Sequence, residues 1–415
     1  MKSCRVIAFT LLLSSSMLVA DTKPAANAVN DVGVDLYRKL TAGDANLCLS
    51  PYSIQLALAM AFAGADGQTR AEMDKTLHYP ADGSTIHDAF AELKRALDSA
   101  VAKSVELSKQ LKCDPMTFEV ANRLFGQEGV DFLSPFLELT KNLYGAPLEQ
   151  VDFKTNADQA IATINSWVED QTHKRITNLI PPKALDATTR LVLVNAIYMK
   201  APWTEPFPAG GTKPEGFHVR GADMVTDVPT MSRQAKLGYL KEGGFTAVTI
   251  PYSTGDLQFL VIVPDETNGL TGVEAKLTGD LLASCANASQ RDVILHLPKF
   301  KLEPPTVSLG SVLKQLGMRS AFDDPPGSAN FDRMAPRRPG DYLAISDVFH
   351  KTFISVDEKG TEAAAATAVG MRAMAAIVRP EQPIEVKIDH PFLFAIQHRP
   401  SGACIFIGRV TDPTK

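Results

Sequence analysis

Residues 360–370 read GTEAAAATAVG, and how this run is read decides the fold. Alanine has the highest helix propensity, so composition alone favours a helix. A run of small residues could equally be a flexible linker. The flanks fit neither. Upstream, ISDVFHKTFISVDEK (345–359) is β-branched and aromatic; downstream, IEVKIDHPFLF (384–394) has the same character. The alanines are therefore expected to form a loop pinned at both ends by strands.

Working outward, the C-terminal half reads as sheet. RLVLVNAIYMK (190–200) is a continuous apolar run that suits a strand buried on both faces. FTAVTIPY (245–252) and LQFLVIVP (257–264) flank the hairpin signal Ser253-Thr254-Gly255-Asp256, and RDVILHLPKFKLE (291–303) reads as strand. Near the C-terminus ACIFIGRV (403–410) follows the turn HRPSG (398–402). The N-terminal half reads as helix. SPYSIQLALAMAFAGA (50–65) opens on Ser50-Pro51 and is apolar almost all round, so it predicts a buried helix. SPFLELTKNLYGA (134–146) predicts Ser134 as N-cap and Gly145 as stop, and 156–176 predicts a long amphipathic helix. No repeat or linker divides the chain, which reads as one α+β domain over 21–415.

Of 415 residues, 45% are hydrophobic and 21% charged, with a net charge of −5. That is soluble globular composition, and it speaks against nucleic acid as a partner. Lys94, Arg95, Lys103, Lys109 and Lys112 alternate with Asp98 and Glu106, the pattern of a solvated helix face. Lys2 and Arg5 precede an apolar run (6–13) and SSSMLVA (14–20), predicting a secretory leader cleaved after Ala20 and a secreted mature protein. No stretch is long enough to predict a membrane anchor. Cys4 goes with the leader. Cys48 and Cys404 lie in apolar runs and are expected as buried thiols; one or two disulfides among Cys48, Cys113, Cys285 and Cys404 are compatible with export. Asn287-Ala288-Ser289 is a glycosylation sequon. GxSxG, HExxH, P-loop and GxGxxG motifs are missing from the sequence, and the eight histidines lack metal-ligand spacing. Neither enzyme activity, metal nor cofactor is expected.

Several blocks, in order, resemble the serpin family: NLCLSPYSIQLALAMAFAGADGQTRAEM (46–73), ANRLFG (121–126), LVLVNAIYMKAPWTEPF (191–207), LPKFKLE (297–303), LGMRSAF (316–322), ISDVFHKTFISVDEKGTEAAAAT (345–367) and DHPFLFAIQHRPSGACIFIGRVTDP (389–413). The resemblance implies three β-sheets, about nine helices and an exposed reactive-centre loop at about 358–380. It also implies a suicide substrate for serine proteases, with cysteine proteases as a second class. In serpins the loop is cut by the target and its N-terminal part, here 360–373, inserts into the main sheet. Such a strand needs small side chains on its core face. Thr361, Ala363, Ala365 and Thr367 would form that face; Glu362, Ala364, Ala366 and Ala368 would stay outside, with Gly360 as the bend. Thirteen strand steps from Thr361 to Met374 span roughly 43 Å, most of a globule on the order of 55 Å across.

By the resemblance the scissile bond follows the residue sixteen positions after Glu358, that is Met374-Ala375, suited to elastase-, chymotrypsin- or subtilisin-like pockets. Arg372-Ala373 is the alternative, with a trypsin-like target. Ser50, Ser53, Asn195 and His350 match the family's shutter beneath the sheet opening. Trp203, Lys299 and Glu358 match the breach at its top. The chain is expected as a monomer, with loop insertion into a neighbour as the route to polymers. The other reading is a non-inhibitory serpin acting as a binding or chaperone protein.

Overall fold

A computed structural model describes residues 21–41, 43–80, 85–111, 114–220, 225–338, 340–362 and 382–415. Residues 1–20, where the leader is expected, Lys112, Cys113 and residues 363–381 lie outside the described residues. The run RLVLVNAIYMK builds the central strand β4 (Leu191–Pro202), in which all residues but Lys200 are buried. Antiparallel β2 (Thr117–Gln127) pairs along one side, and β3 (Glu149–Val151) extends it to the edge. On the other side β12 (Ile345–Asp357) runs parallel to β4 through eight residue pairs, Ile345↔Leu191 to Phe353↔Tyr198. Beyond Phe353 and Tyr198, the two-residue strand β13 (Gly360–Thr361) lies between β4 and β12, antiparallel to both. Strands β10 (Phe300–Leu302) and β11 (Val307–Ser308) flank the far side of β12.

The other expected sheets share one long strand, β6 (Val225–Glu242), and so join into a nine-stranded sheet. Its first part pairs with β5 (Lys213–His218), its middle with β9 (Gln290–Pro298), and β9 in turn pairs with β14 (Ile384–Lys387). Its last part pairs with β7 (Phe245–Pro251), leading on through β8 (Leu257–Pro264), β15 (Phe392–His398), β16 (Ala403–Val410) and β1 (Leu47–Leu49). The β7–β8 hairpin turns at Gly255, φ 74°, where the sequence signal stood. The run 291–303 divides at Lys299 between the two sheets.

Among the described residues there are nine α-helices. These are α1 (Lys23–Leu40), α2 (Pro51–Gly64), α3 (Gly67–Thr76), α4 (Ile86–Leu111), α5 (Ser134–Tyr144), α6 (Phe153–Gln171), α7 (Leu270–Lys276), α8 (Gly279–Ala286) and α9 (Gly310–Leu316). Helix α2 is buried on nearly all sides between β4 and β16 and is capped by Ser50, whose oxygen accepts from the Ser53 amide. Ser134 is not a cap: the helix begins on it, after Leu133, with no side-chain capping bond. Gly145 ends that helix as expected, at φ 66°. A first turn capped by Asp152 through the Thr155 amide is separated by a kink at Asn156 (φ −146°) from the long helix that the sequence expects; that helix ends at Gln171, short of 176, where His173 and Lys174 take φ 49° and 61°. The basic residues of α4 are partnered: Lys94 with Asp98, Arg95 with Glu92, Lys103 with Asp256 and Lys109 with Glu106. This is the solvated face the sequence predicts.

The seven-stranded sheet is buried on both faces, by different material. Leu191, Leu193, Ile197, Met199 and Ala201 face the main core, which α2 shares with the nine-stranded sheet. Val192, Val194, Ala196, Tyr198, Phe349 and Phe353 face outward, beneath Ile161, Ile164 and Val168 of α6. Period-2 alternation thus holds along β4, and the outer face is covered by α6, which lies against β2, together with Ile176, Leu179, Ile180 and Leu185 of the segment that follows it. Truncating Ile164, fully buried in that cover, is expected to destabilise the protein by about 2–5 kcal/mol, read as an earlier urea transition for Ile164→Ala.

Candidate functional site

Register brings the polar residues of the main sheet into one row. Asn122 on β2 stands opposite Asn195 on β4, which stands opposite His350 on β12. The N-terminus of α2 supplies Ser50 and Ser53 from below. Ser50, Ser53, Asn195 and His350 have no solvent exposure, so each polar atom needs a protein partner. The Ser50 amide donates to His350 Nε2 at 3.1 Å, which leaves the proton on Nδ1, directed at Asn195 Oδ1. Asn195 Nδ2 donates to Ser53 Oγ (2.6 Å) and Asn122 Oδ1 (2.7 Å). Asn122 Nδ2 donates to the Ser53 carbonyl (2.7 Å), and Ser50 Oγ to the Ile405 carbonyl (2.7 Å). All four residues singled out in the sequence meet here. Asn122 was missed, although it sits in the quoted block ANRLFG; only its register against Asn195 reveals it.

Above this row lies the hinge. Thr361 is fully buried on the core face, its hydroxyl 2.6 Å from the Tyr252 hydroxyl. Glu362 lies on the outer face, paired with Arg175. These two residues therefore alternate as the sequence predicts. Gly360 is not a bend; it is a paired strand residue at φ 155°, where an added Cβ would sit 2.0 Å from the Ala201 carbonyl oxygen. Trp203 closes the top. Its indole N–H donates to the Asp357 carbonyl (3.0 Å), its amide to the Lys359 carbonyl (2.9 Å), and its ring stacks on Tyr252 at 4.7 Å. Lys299 reaches Glu358 at 2.9 Å, and Thr212 Oγ1 donates to the same carboxylate at 2.7 Å. Burial pushes the Glu358 carboxyl up, but the bonds from Lys299 and Thr212 outweigh it and leave the group below its ordinary range. Thr212 and Tyr252 carry no motif in the sequence and were missed. Ala363, Ala364, Ala365, Ala366, Thr367, Arg372, Ala373, Met374 and Ala375 lie outside the described residues.

Cys48, Cys285 and Cys404 are buried free thiols, so the pairing that export would allow does not occur among these three. Burial pushes Cys48 and Cys285 up to about 12, away from thiolate chemistry. Asn287, of the sequon, is exposed at the end of α8.

A covered main sheet with a buried polar row across its middle and a short strand between β4 and β12 at its top defines the class of fold. The family model for serpins (serine protease inhibitors) matches residues 27–413, and the chain belongs to the serpin family. It is 38% identical over 391 residues to the leukocyte elastase inhibitor of Bos taurus, covering 92% of this chain and 97% of that one. It is 37% identical to an uncharacterized serpin-like protein of Thermococcus kodakarensis, covering 94% of this chain and 86% of the relative. Among solved structures, Serpin48 of Tenebrio molitor, described as a highly specific serpin, superposes with a TM-score of 0.75 at 32% identity, covering 93% of this chain and 97% of that chain.

Burial drives His350 down to about 3, so the native ring is neutral at pH 7. The ordinary histidine value of about 6.5 lies above this, so the unfolded state binds the proton first. The stabilisation by neutral His350 is complete above pH 6.5 and is lost as pH falls towards 3, by about 2 kcal/mol at pH 5. His87 and His398, both driven down to about 4 by burial, act in the same direction. His350→Gln is therefore expected to lower stability at pH 7 by about 1–3 kcal/mol and to flatten the loss between pH 6.5 and 5 relative to wild type. Urea unfolding across that range measures both.

Proposed function

We propose that this serpin is a single-use inhibitor of serine proteases, cleaved at Met374-Ala375 and trapping the acyl-enzyme by inserting residues 360–373 between β4 and β12. The observation that carries this reading is the seam itself. Below Phe353 and Tyr198 the two strands are directly paired and parallel, while above them Gly360–Thr361 already lies antiparallel to both. An entering strand would replace one parallel ladder by two antiparallel ones. At roughly 1 kcal/mol net per bond, the exchange is downhill. Thr361 inside and Glu362 outside support the small face Thr361, Ala363, Ala365 and Thr367 as the one entering the core. The likeness to a leukocyte elastase inhibitor supports an elastase-like pocket for Met374, and Arg372-Ala373 with a trypsin-like target is the alternative outcome.

In this reading Ser50, Ser53, Asn122, Asn195 and His350 form a latch. Of their side-chain bonds, the one between His350 and Asn195 crosses the seam and must break when it opens. Trp203, Lys299 and Glu358 hold the hinge base at the top. Residues 21–415 act as one unit, since β1 near the start of the described chain and β16 near its end pair in one sheet. Export rests on the leader-like residues 1–20, which precede the start of the family match at residue 27.

Incubation with elastase, chymotrypsin, subtilisin and trypsin, followed by denaturing electrophoresis and mass analysis, tests the reading. A stable complex with a released peptide starting at Ala375 is expected, together with a large rise in Tm of the loop-cleaved chain. Peptide starting at Ala373 moves the target to the trypsin class. Cleavage by all four enzymes without complex or gain in Tm contradicts inhibition. Thr361→Arg places a charge in a site with no solvent exposure and should turn the inhibitor into a substrate. The number of serpin molecules consumed per protease trapped should rise about tenfold or more.

A further inference from the structure

Among the described residues the hinge strand is Gly360–Thr361, and the next residue, Glu362, departs from it. Its amide still donates to the Ser355 carbonyl at 2.8 Å, yet its φ is 44°, which ends the extended run. A left-handed glutamate is unfavourable by itself. Its side chain is only 13% exposed, and its carboxylate takes a hydrogen bond from the Tyr198 side chain. Burial pushes this carboxyl up, and the largest opposing influence is Arg175. A left-handed backbone and a buried carboxylate thus meet in one residue, compensated first by the ion pair to the Arg175 guanidinium and then by the Tyr198 hydrogen bond.

Arg175 is itself held for this contact. It follows α6 directly after the left-handed His173 and Lys174, and its amide donates to the Thr172 carbonyl at 2.9 Å. Its guanidinium lies 5.6 Å from the centre of the Phe353 ring, above the last β12 residue paired with β4. Tyr198, the partner of Phe353 across the seam, lies against the Glu362 carboxylate. One guanidinium therefore touches both the top of the closed seam and the tip of the hinge. Sequence reasoning gave Arg175 no role.

We propose that Arg175 is a positioning residue for loop insertion: it holds Glu362 in the left-handed conformation that ends the hinge strand, and so sets the height at which the uncleaved loop stops. The proposal rests on the insertion reading above. Continued insertion requires Glu362 to become extended, so the ion pair must be remade or lost as insertion begins.

The test uses the intact chain and four variants: Arg175→Gln, Glu362→Gln, the double variant and Arg175→Lys. Each is held below its unfolding temperature, and the fraction converted to a heat-resistant, loop-inserted form is followed with time. Arg175→Gln and Glu362→Gln should each convert about tenfold faster than wild type. The double variant should be no faster than either single one, because both remove the same contact. Arg175→Lys should restore most of the delay, and the Tm of the loop-cleaved form should not change. Conversion of Arg175→Gln at the wild-type rate, or acceleration that Lys does not restore, overturns the assignment. A wild-type chain that gains no heat resistance on loop cleavage overturns the insertion reading and this one with it. A wild type that gains it, while the variants convert at its rate, overturns the role of Arg175 alone.

Discussion

The molecule depends on the parallel pairing of β4 with β12. These strands lie far apart in sequence, with most of the nine-stranded sheet between them, yet eight residue pairs join them in the middle of the main sheet. Everything around the seam bears on it. The core face carries the Asn122–Asn195–His350 row over the start of α2; the outer face is covered by α6 and the segment that follows it; Gly360–Thr361 lies between the two strands at the top. A pairing that ends at Phe353 and Tyr198 leaves the two strands free of each other where the hinge enters.

The three described residues of the run, Gly360, Thr361 and Glu362, each meet a different environment. Gly360 is required by the approach of the Ala201 carbonyl, and Thr361 by a small, sealed site that still offers its hydroxyl a partner in Tyr252. Glu362 belongs to the other face, where charge is tolerated because Arg175 answers it. Each successive position thus meets a different environment, set by the pleat rather than by composition.

Much of this was legible in the sequence. The continuous apolar run of β4, the hairpin at Gly255 and the buried α2 are properties of short segments, and they formed as patterned. The errors were also local. Ser134 looked like a cap, but Leu133 occupies the cap position, and the left-handed His173 and Lys174 end α6 before the 176 that its apolar period suggested. What the sequence could not supply is register. Asn122 belongs to the polar row because it pairs with Asn195, and Tyr252 belongs to the hinge because an isolated bridge sets it beside Trp203. Arg175 is legible only once the residues after α6 are placed over Phe353. Family resemblance recovered Ser50, Ser53, Asn195, His350, Trp203, Lys299 and Glu358 as positions, and the geometry supplies what each one touches.

The central claim is that the seam must open for the protein to work. The most direct test is a reversible crosslink across it. Ala196 and Lys351 are register partners on the outer face, and paired strand residues lie within disulfide range. The double variant Ala196→Cys, Lys351→Cys, oxidised and then challenged with an elastase-like protease, should be cleaved in the loop without forming a stable complex, and reduction should restore complex formation. An oxidised, crosslinked protein that traps protease as well as the reduced one would contradict the account.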